Sequence, residues 1–330
     1  MNSSRASCLR LARLHSHRYR GNRCSLASST LGRSLAPASD DTHFGFQQAS
    51  INPVRSDDKK GMVQDVFSSV AHNYDVMNDL MSAGMHRLWK DEFVEMLGIT
   101  TGWDAGSGPP KILDVAGGTG DIAFRMADQL RPYIYGEGEA FDEQDGADEG
   151  VSDRTPLLTI SDINHDMLQV GRQRAVERFS PATMDAMRFV QADAEALPFE
   201  DDSFHLYTIA FGLRNVTDTD KALREAHRVL KPGGRFMCLE FSRVPIEPLQ
   251  KAYDWYSFNV IPTIGQVVAN DRDAYQYLVE SIRMFPGQEE LEDRMSSAGF
   301  KMVSHKNITA GVVAVHSGFK MPTRGPNPHD

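Results

Sequence analysis

The chain of 330 residues has three cysteines, no apolar run of the roughly 18 residues a membrane-crossing helix needs, and no acidic residue before Asp40. Each shortage excludes something. Cys8 and Cys24 fall in the N-terminal stretch, which leaves Cys238 alone in the remainder, so neither a disulfide framework nor a zinc site is available. Cys238 lies in an apolar run and reads as core. Without a long apolar run, any membrane contact is peripheral. The first 39 residues carry seven Arg and many Ser, the composition of a mitochondrial transit peptide; a basic disordered tail is the alternative. Beyond them stand 28 basic against 45 acidic residues, near −17, a surface that repels phosphate backbones and argues against a nucleic-acid partner. Residues 137–153 hold eight acids and no Lys or Arg, too little apolar surface to fold. That stretch reads as a disordered insertion spanning 134–155.

What is present begins with Lys111-Ile112-Leu113-Asp114-Val115-Ala116-Gly117-Gly118-Thr119-Gly120-Asp121: an apolar strand, a carboxylate near its end, a glycine turn, and a helix starting at once. Glycines there permit positive φ and close approach of a ligand to the main chain, while the first N–H groups of the helix are free to donate. Further strands are expected at 157–160, 187–191, 204–211 and 235–241, and helices at 62–81, 121–130 and 219–230. Lys231-Pro232-Gly233-Gly234 is expected to break the last helix and feed the strand after it. Strands alternating with helices imply a parallel sheet covered on both faces. The runs 300–308 and 312–318, separated by Thr309-Ala310-Gly311, read as a terminal hairpin that adds one antiparallel strand.

In such a sheet a ligand lies beyond the carboxyl ends of the strands, at the switch point of the strand order. Four strand ends carry suitable residues: Asp114 with Gly117, Gly118, Thr119 and Gly120; Asp162; Asp193 with Ala194; and Phe211-Gly212-Leu213-Arg214-Asn215. Asp162 is the expected acceptor for ribose hydroxyls, and Asp193 for an exocyclic amine of adenine. Gly118-x-Gly120-x-x-Ala123 also satisfies a dinucleotide fingerprint, so a nicotinamide oxidoreductase remains an alternative; the terminal hairpin favours a methyltransferase. A non-catalytic methyltransferase-like scaffold is a second alternative.

The sequence resembles the ubiquinone/menaquinone biosynthesis C-methyltransferase family. The resemblance runs from about 62 to 320 and is carried by Val66-Phe67-Ser68-Ser69-Val70-Ala71, Tyr74-Asp75-Val76-Met77-Asn78-Asp79, Gly84-Met85-His86-Arg87-Leu88-Trp89-Lys90, the glycine turn, Ala192-Asp193-Ala194-Glu195-Ala196-Leu197-Pro198-Phe199, Phe211 to Val216, Lys231-Pro232-Gly233-Gly234 and Glu280-Ser281-Ile282-Arg283. It implies an α/β, seven-stranded class I S-adenosylmethionine-dependent methyltransferase fold over 60–330, after a transit peptide and linker at 1–45. It implies S-adenosylmethionine as cofactor, held by Thr119, Asp162, Asp193 and Ala194, and no metal. The implied reaction methylates a ring carbon of a polyprenylated methoxy-benzoquinol in ubiquinone synthesis.

Carbon methylation of a quinol is helped by deprotonating a neighbouring hydroxyl, whose pKa near ~10 calls for a base or a cation. Arg214 is the candidate cation and Asn215 the group that orients the second oxygen; the alternative for Arg214 is a salt bridge tying its loop. His86, Tyr74 and Asp75 are further candidates to border the ring. Seven aromatics between Tyr253 and Phe285 point to a lid over about 249–285 that houses the prenyl tail, with ordinary core packing as the alternative. A bilayer-resident substrate implies peripheral contact with the matrix face of the mitochondrial inner membrane, and the family suggests other enzymes of a ubiquinone-biosynthesis complex as partners. A homodimer is left open.

Overall fold

Strands with apolar side chains on both faces must be covered on both. In the computed structural model seven strands form one sheet in the order β3-β2-β1-β4-β5-β7-β6. They are β1 (Ile112–Val115), β2 (Leu158–Asp162), β3 (Met187–Gln191), β4 (Phe204–Ala210), β5 (Leu230–Phe241), β6 (Lys301–Ile308) and β7 (Val313–Phe319). The first five run parallel, and β7 lies antiparallel between β5 and β6. The helices are α1 (Met85–Leu97), α2 (Asp121–Tyr135), α3 (His165–Arg178), α4 (Pro181–Asp185), α5 (Thr219–Val229), α6 (Glu247–Asn259) and α7 (Gln288–Ser297). The structure describes residues 78–79, 82, 84–100, 108–136, 155–260 and 279–322. The transit-peptide stretch, nearly all of the helix expected over 62–81 with Tyr74 and Asp75, the acidic stretch 137–153, and 261–278 of the expected lid lie outside the described residues.

Alternation along each strand divides the core in two. Ile112, Met237 and Leu239 pack with Trp89 and Phe93 of α1 and Phe124 and Met126 of α2. Leu113, Val115, Phe236 and Cys238 point the other way, against Leu223 and Ala226 of α5 and Leu291 of α7. Cys238 is thus core, as its apolar neighbours suggest, and burial pushes its thiol pKa well up.

Two boundaries differ from expectation. The helix expected to stop near 130 continues to Tyr135, because Ile134 is buried and the Tyr135 hydroxyl meets Thr183 Oγ1 at 2.6 Å. Residues 134 and 135 therefore belong to α2 and not to the insertion. Lys231-Pro232-Gly233-Gly234 does not separate helix from strand; it forms a bulge within β5, between the pairs Phe204↔Leu230 and Leu206↔Arg235. Gly233 N–H donates to Lys320 O at 2.6 Å, and Lys320 N–H to Gly234 O at 2.9 Å, which pins the bulge beside the end of β7.

The chain leaves β1 toward β2 and β3, then returns to the other side of β1 as β4. The ends of β1 and β4 consequently diverge into loops that go to opposite halves of the sheet, the switch point where a crevice opens. Helix α3 packs directly on the glycine turn there. A Cβ on Gly171 would stand 2.9 Å from Gly118 O and 3.1 Å from the Thr119 carbonyl carbon. In an exposed helix Gly→Ala is worth about 1 kcal/mol in favour of alanine. Here the methyl must displace backbone, so Gly171→Ala is expected to destabilise by roughly 1–3 kcal/mol in urea unfolding; a stabilised variant would show that α3 is not seated on the turn.

Candidate active site

The crevice at the switch point is a cavity with about 1110 Å³ of empty space, partly open to solvent. Its wall is built from all four strand ends singled out in the sequence: Asp114, Gly117, Gly118 and Thr119; Asp162; Asp193 and Ala194; Phe211 and Asn215. Gly120 is not on the wall. It makes the turn instead, capping α2 at φ 87° and donating to Gly117 O at 2.8 Å.

Asp162 organises this floor. Its Oδ2 accepts from Gly118 N–H at 2.9 Å and its Oδ1 from Asn164 N–H at 2.8 Å, so one carboxylate ties the glycine turn to the start of α3. Desolvation raises its pKa to about 6, opposed by those N–H donors. The carboxylate has acceptor capacity beyond these bonds, which suits a cis-diol. Asn164 caps α3 by accepting from Met167 N–H, and it also lines the cavity. Nothing in the sequence singled it out, although an Asn two residues past a strand-end Asp is a recognisable helix cap.

Asp114 is buried beside Asp162. Its Oδ1 accepts from the Thr208 hydroxyl at 2.7 Å across the β1–β4 pairing, and its Oδ2 has no partner. Burial, reinforced by the charges of Asp162 and Asp121, raises its pKa to about 7 despite the Thr208 bond. On the far wall Asp193 Oδ1 accepts from Glu195 N–H at 2.9 Å. Glu195 Oε1 in turn holds Thr217 N–H at 2.7 Å and Asp218 N–H at 3.1 Å, which fixes the loop after β3 to the loop after β4.

The expected catalytic group is split. Asn215 is on the cavity wall and its buried Oδ1 lacks a partner among the described residues. Arg214 is not: its guanidinium lies against Glu240 Oε1 at 2.9 Å, with side chains 3% and 1% exposed, and also bonds Phe211 O. The reading of Arg214 as a cation facing a phenol gives way to the salt bridge that ties its loop, because a buried carboxylate one strand away neutralises it. His86 is likewise off the wall, bonded through Nε2 to Asp79 Oδ1 at 2.8 Å. Burial and the charge of Lys90 lower its pKa, Asp79 acting against them. Lys90, part of the motif from Gly84 but given no site role from the sequence, does line the cavity although it is 5% exposed, and its Nζ donates to Asp121 Oδ2 at 2.6 Å.

The donor set fits S-adenosylmethionine. Asp162 can accept from a nucleoside diol, the Asp114 oxygen left without a partner among the described residues can accept from a primary ammonium, and the turn is closed to a side chain at Gly117, where a Cβ would stand 2.6 Å from Ile160 Cγ2. Among the described residues no group of three His, Cys, Asp or Glu is placed to hold a metal ion.

Removing Arg214 leaves Glu240 buried and uncompensated, so Arg214→Ala is expected to cost about 3–5 kcal/mol in urea unfolding. The apolar double variant Arg214→Met with Glu240→Leu should recover most of that loss; failure to recover would mean the pair is not what holds the loop.

The model of the ubiE/COQ5 methyltransferase family matches residues 54–320. The chain is 48% identical over 283 residues to a mitochondrial 2-methoxy-6-polyprenyl-1,4-benzoquinol methylase of Dictyostelium discoideum, covering 85% of this chain and 86% of that one. It is 48% identical to a protein of the same description from Rattus norvegicus, over 85% of each chain. It is 50% identical to a ubiquinone/menaquinone biosynthesis C-methyltransferase of Brucella canis, over 84% of this chain and 90% of that one. With a match across four-fifths of its length and the seven-stranded class I architecture behind it, the chain belongs to the ubiE/COQ5 methyltransferase family.

Proposed function

We propose that the chain transfers a methyl group from S-adenosylmethionine to a ring carbon of a 2-methoxy-6-polyprenyl-1,4-benzoquinol, a step of ubiquinone biosynthesis. The observation that carries the reading is a cavity at the switch point lined by Asp114, Asp162, Asp193 and the glycine turn, in a chain nearly half identical to relatives described as catalysing this methylation. When bound, the cofactor supplies a sulfonium-activated methyl. Asp162 receives the ribose hydroxyls, Asp193 and Ala194 border the adenine, Thr119 and the glycine turn border the sugar and sulfur, and Asp114 Oδ2 accepts from the ammonium. Asn215 Oδ1 accepts from a quinol hydroxyl and orients the ring. Arg214 is a positioning residue, holding the turn that presents Asn215. Much of the rate then comes from placing two carbons in line, for which ordering alone supplies about 7–11 kcal/mol in favourable cases.

The polyprenyl tail supports peripheral membrane contact. No described helix is long and apolar enough to cross a bilayer, while α6 exposes Leu249, Trp255 and Phe258, with Ile246 just before it. Exposed aromatic and aliphatic side chains of this kind, spread around the helix, suit the interface of a membrane, here the matrix face of the mitochondrial inner membrane. Association with other enzymes of the pathway, and with a second copy of the chain, is part of the same proposal.

The test is turnover of a short-chain demethyl quinol with S-adenosylmethionine, read by mass spectrometry of the product. A ring-methylated quinol is expected. Cofactor binding without any methylated product would leave only the scaffold reading.

Protonation gives a second check. Asp114 titrates at about 7 and binds an ammonium only as the carboxylate. Falling pH protonates it, so affinity for S-adenosylhomocysteine is expected to fall between pH 8 and 6, approaching tenfold per unit below 7 for one linked proton. Asp114→Asn should bind more weakly at pH 8 and lose most of that slope; calorimetric titration of both proteins, with an unchanged slope in the variant, would assign the proton elsewhere.

A further inference from the structure

Resting on the cofactor reading above, the remaining charge on the cavity wall has a role of its own. We infer that Lys90 receives the carboxylate of the cofactor's methionine moiety, with Asp121 holding it in place.

The wall is strongly acidic. Asp114, Asp121, Asp162, Asp193 and Glu195 all contribute, and Lys90 is the one cationic side chain among the described residues that line it. An acidic cavity favours a sulfonium and an ammonium, but it repels the third charge of the amino-acid moiety, a carboxylate. A desolvated carboxylate needs a charged or hydrogen-bonding partner. Arg214 cannot provide one, being off the wall and committed to Glu240. Lys90 can. Among the described residues Asp121 is the one acceptor bonded to its ammonium, which has three protons to give.

The surroundings hold that ammonium firmly. Helix α1 is anchored on one side by Phe93, fully buried, and by the Trp89 indole N–H, which donates to Thr309 Oγ1 at 2.8 Å. On the other side Asp121 opens α2 directly after the glycine turn, and its second oxygen is bonded by Arg125, itself held by Asp91 at 2.6 Å. Arg125 thus takes up part of the Asp121 charge, so Lys90 is oriented by Asp121 without being neutralised by it alone. Lys90 and Asp114 then bracket the α-carbon of the methionine moiety with opposite charges, one for each end of the zwitterion. This is a pattern a neutral or decarboxylated ligand would not satisfy.

The test compares two ligands that differ only in that carboxylate, S-adenosylmethionine and decarboxylated S-adenosylmethionine, by calorimetry on the full chain. Lys90→Met keeps the apolar stem and removes the charge. It is expected to weaken S-adenosylmethionine by about ten- to hundredfold and to leave the decarboxylated ligand within about threefold. Lys90→Arg should restore much of the difference. Equal losses for both ligands would show that Lys90 merely supports the cavity, and unchanged affinity for S-adenosylmethionine would remove it from the site; either overturns the inference. Should Lys90→Met unfold, Lys90→Met with Asp121→Asn, which leaves no unpaired buried charge, carries the same comparison. Failure of the wild-type chain to bind either ligand would instead refute the cofactor assignment.

Discussion

One carboxylate holds the two halves of the cavity floor together. Asp162 ends β2, yet its oxygens are taken by Gly118 N–H from the turn after β1 and Asn164 N–H from the cap of α3. Hydrogen bonds to an ionised acceptor are about twice as strong as neutral ones. The turn it stabilises is a strained one: Ala116 and Gly118 have φ of 54° and 52°, the left-handed region. For alanine that conformation costs on the order of 1–3 kcal/mol, and it persists only where its surroundings over-determine it. The Asp162 bond, the Gly117 N–H to Ser161 O bond at 3.0 Å and the seat of α3 on the turn do so together.

The same economy of charge explains which basic residues can reach a ligand. Five carboxylates line one cavity; burial raises the pKa values of both Asp114 and Asp162, and at Asp114 the charges of Asp162 and Asp121 add to that rise. A ligand carrying two positive groups relieves the repulsion, which ties cofactor affinity to the protonation of the floor. Arg214 and Glu240 follow the opposite logic. Both are buried, each is the other's counter-ion, and the pair therefore adds no net charge to the cavity while fixing the turn from Phe211 to Asn215.

Much of this was legible in the residues. Alternating strands and helices, the terminal hairpin with its antiparallel β7, and the convergence of Asp114, Thr119, Asp162 and Asp193 follow from apolar runs that end in polar residues. Asp162 could be recognised although it stands 42 positions beyond Gly120, because its strand end marks it whatever the length of the intervening loop. What escaped were partnerships between distant positions. Lys90 is set against Asp121, and Glu240 under Arg214, only by the fold. Periodicity shows which face of an element is buried, not what meets it there. The continuation of α2 to Tyr135 escaped for the same reason, since the hydroxyl partners that stabilise its last turn lie some 45 residues away.

A chemical consequence follows from where the strain sits. Phe211, just after β4, has φ 55°, and Ala116, just after β1, φ 54°, so both strands that flank the crevice lead into left-handed backbone. The space above β1 and β4 opens between these two bends. Asp114 and Thr208, bonded to each other in register just below, seal that space from beneath. Trp89 and Phe241 close around Phe211, with ring centroids 6.4 and 5.0 Å from it. The opening left has a polar, acid-rich side toward Asp162 and Asp193 and an aromatic side toward Phe211. The crossing of chain directions at β1 and β4 is what brings these two sides together around one opening.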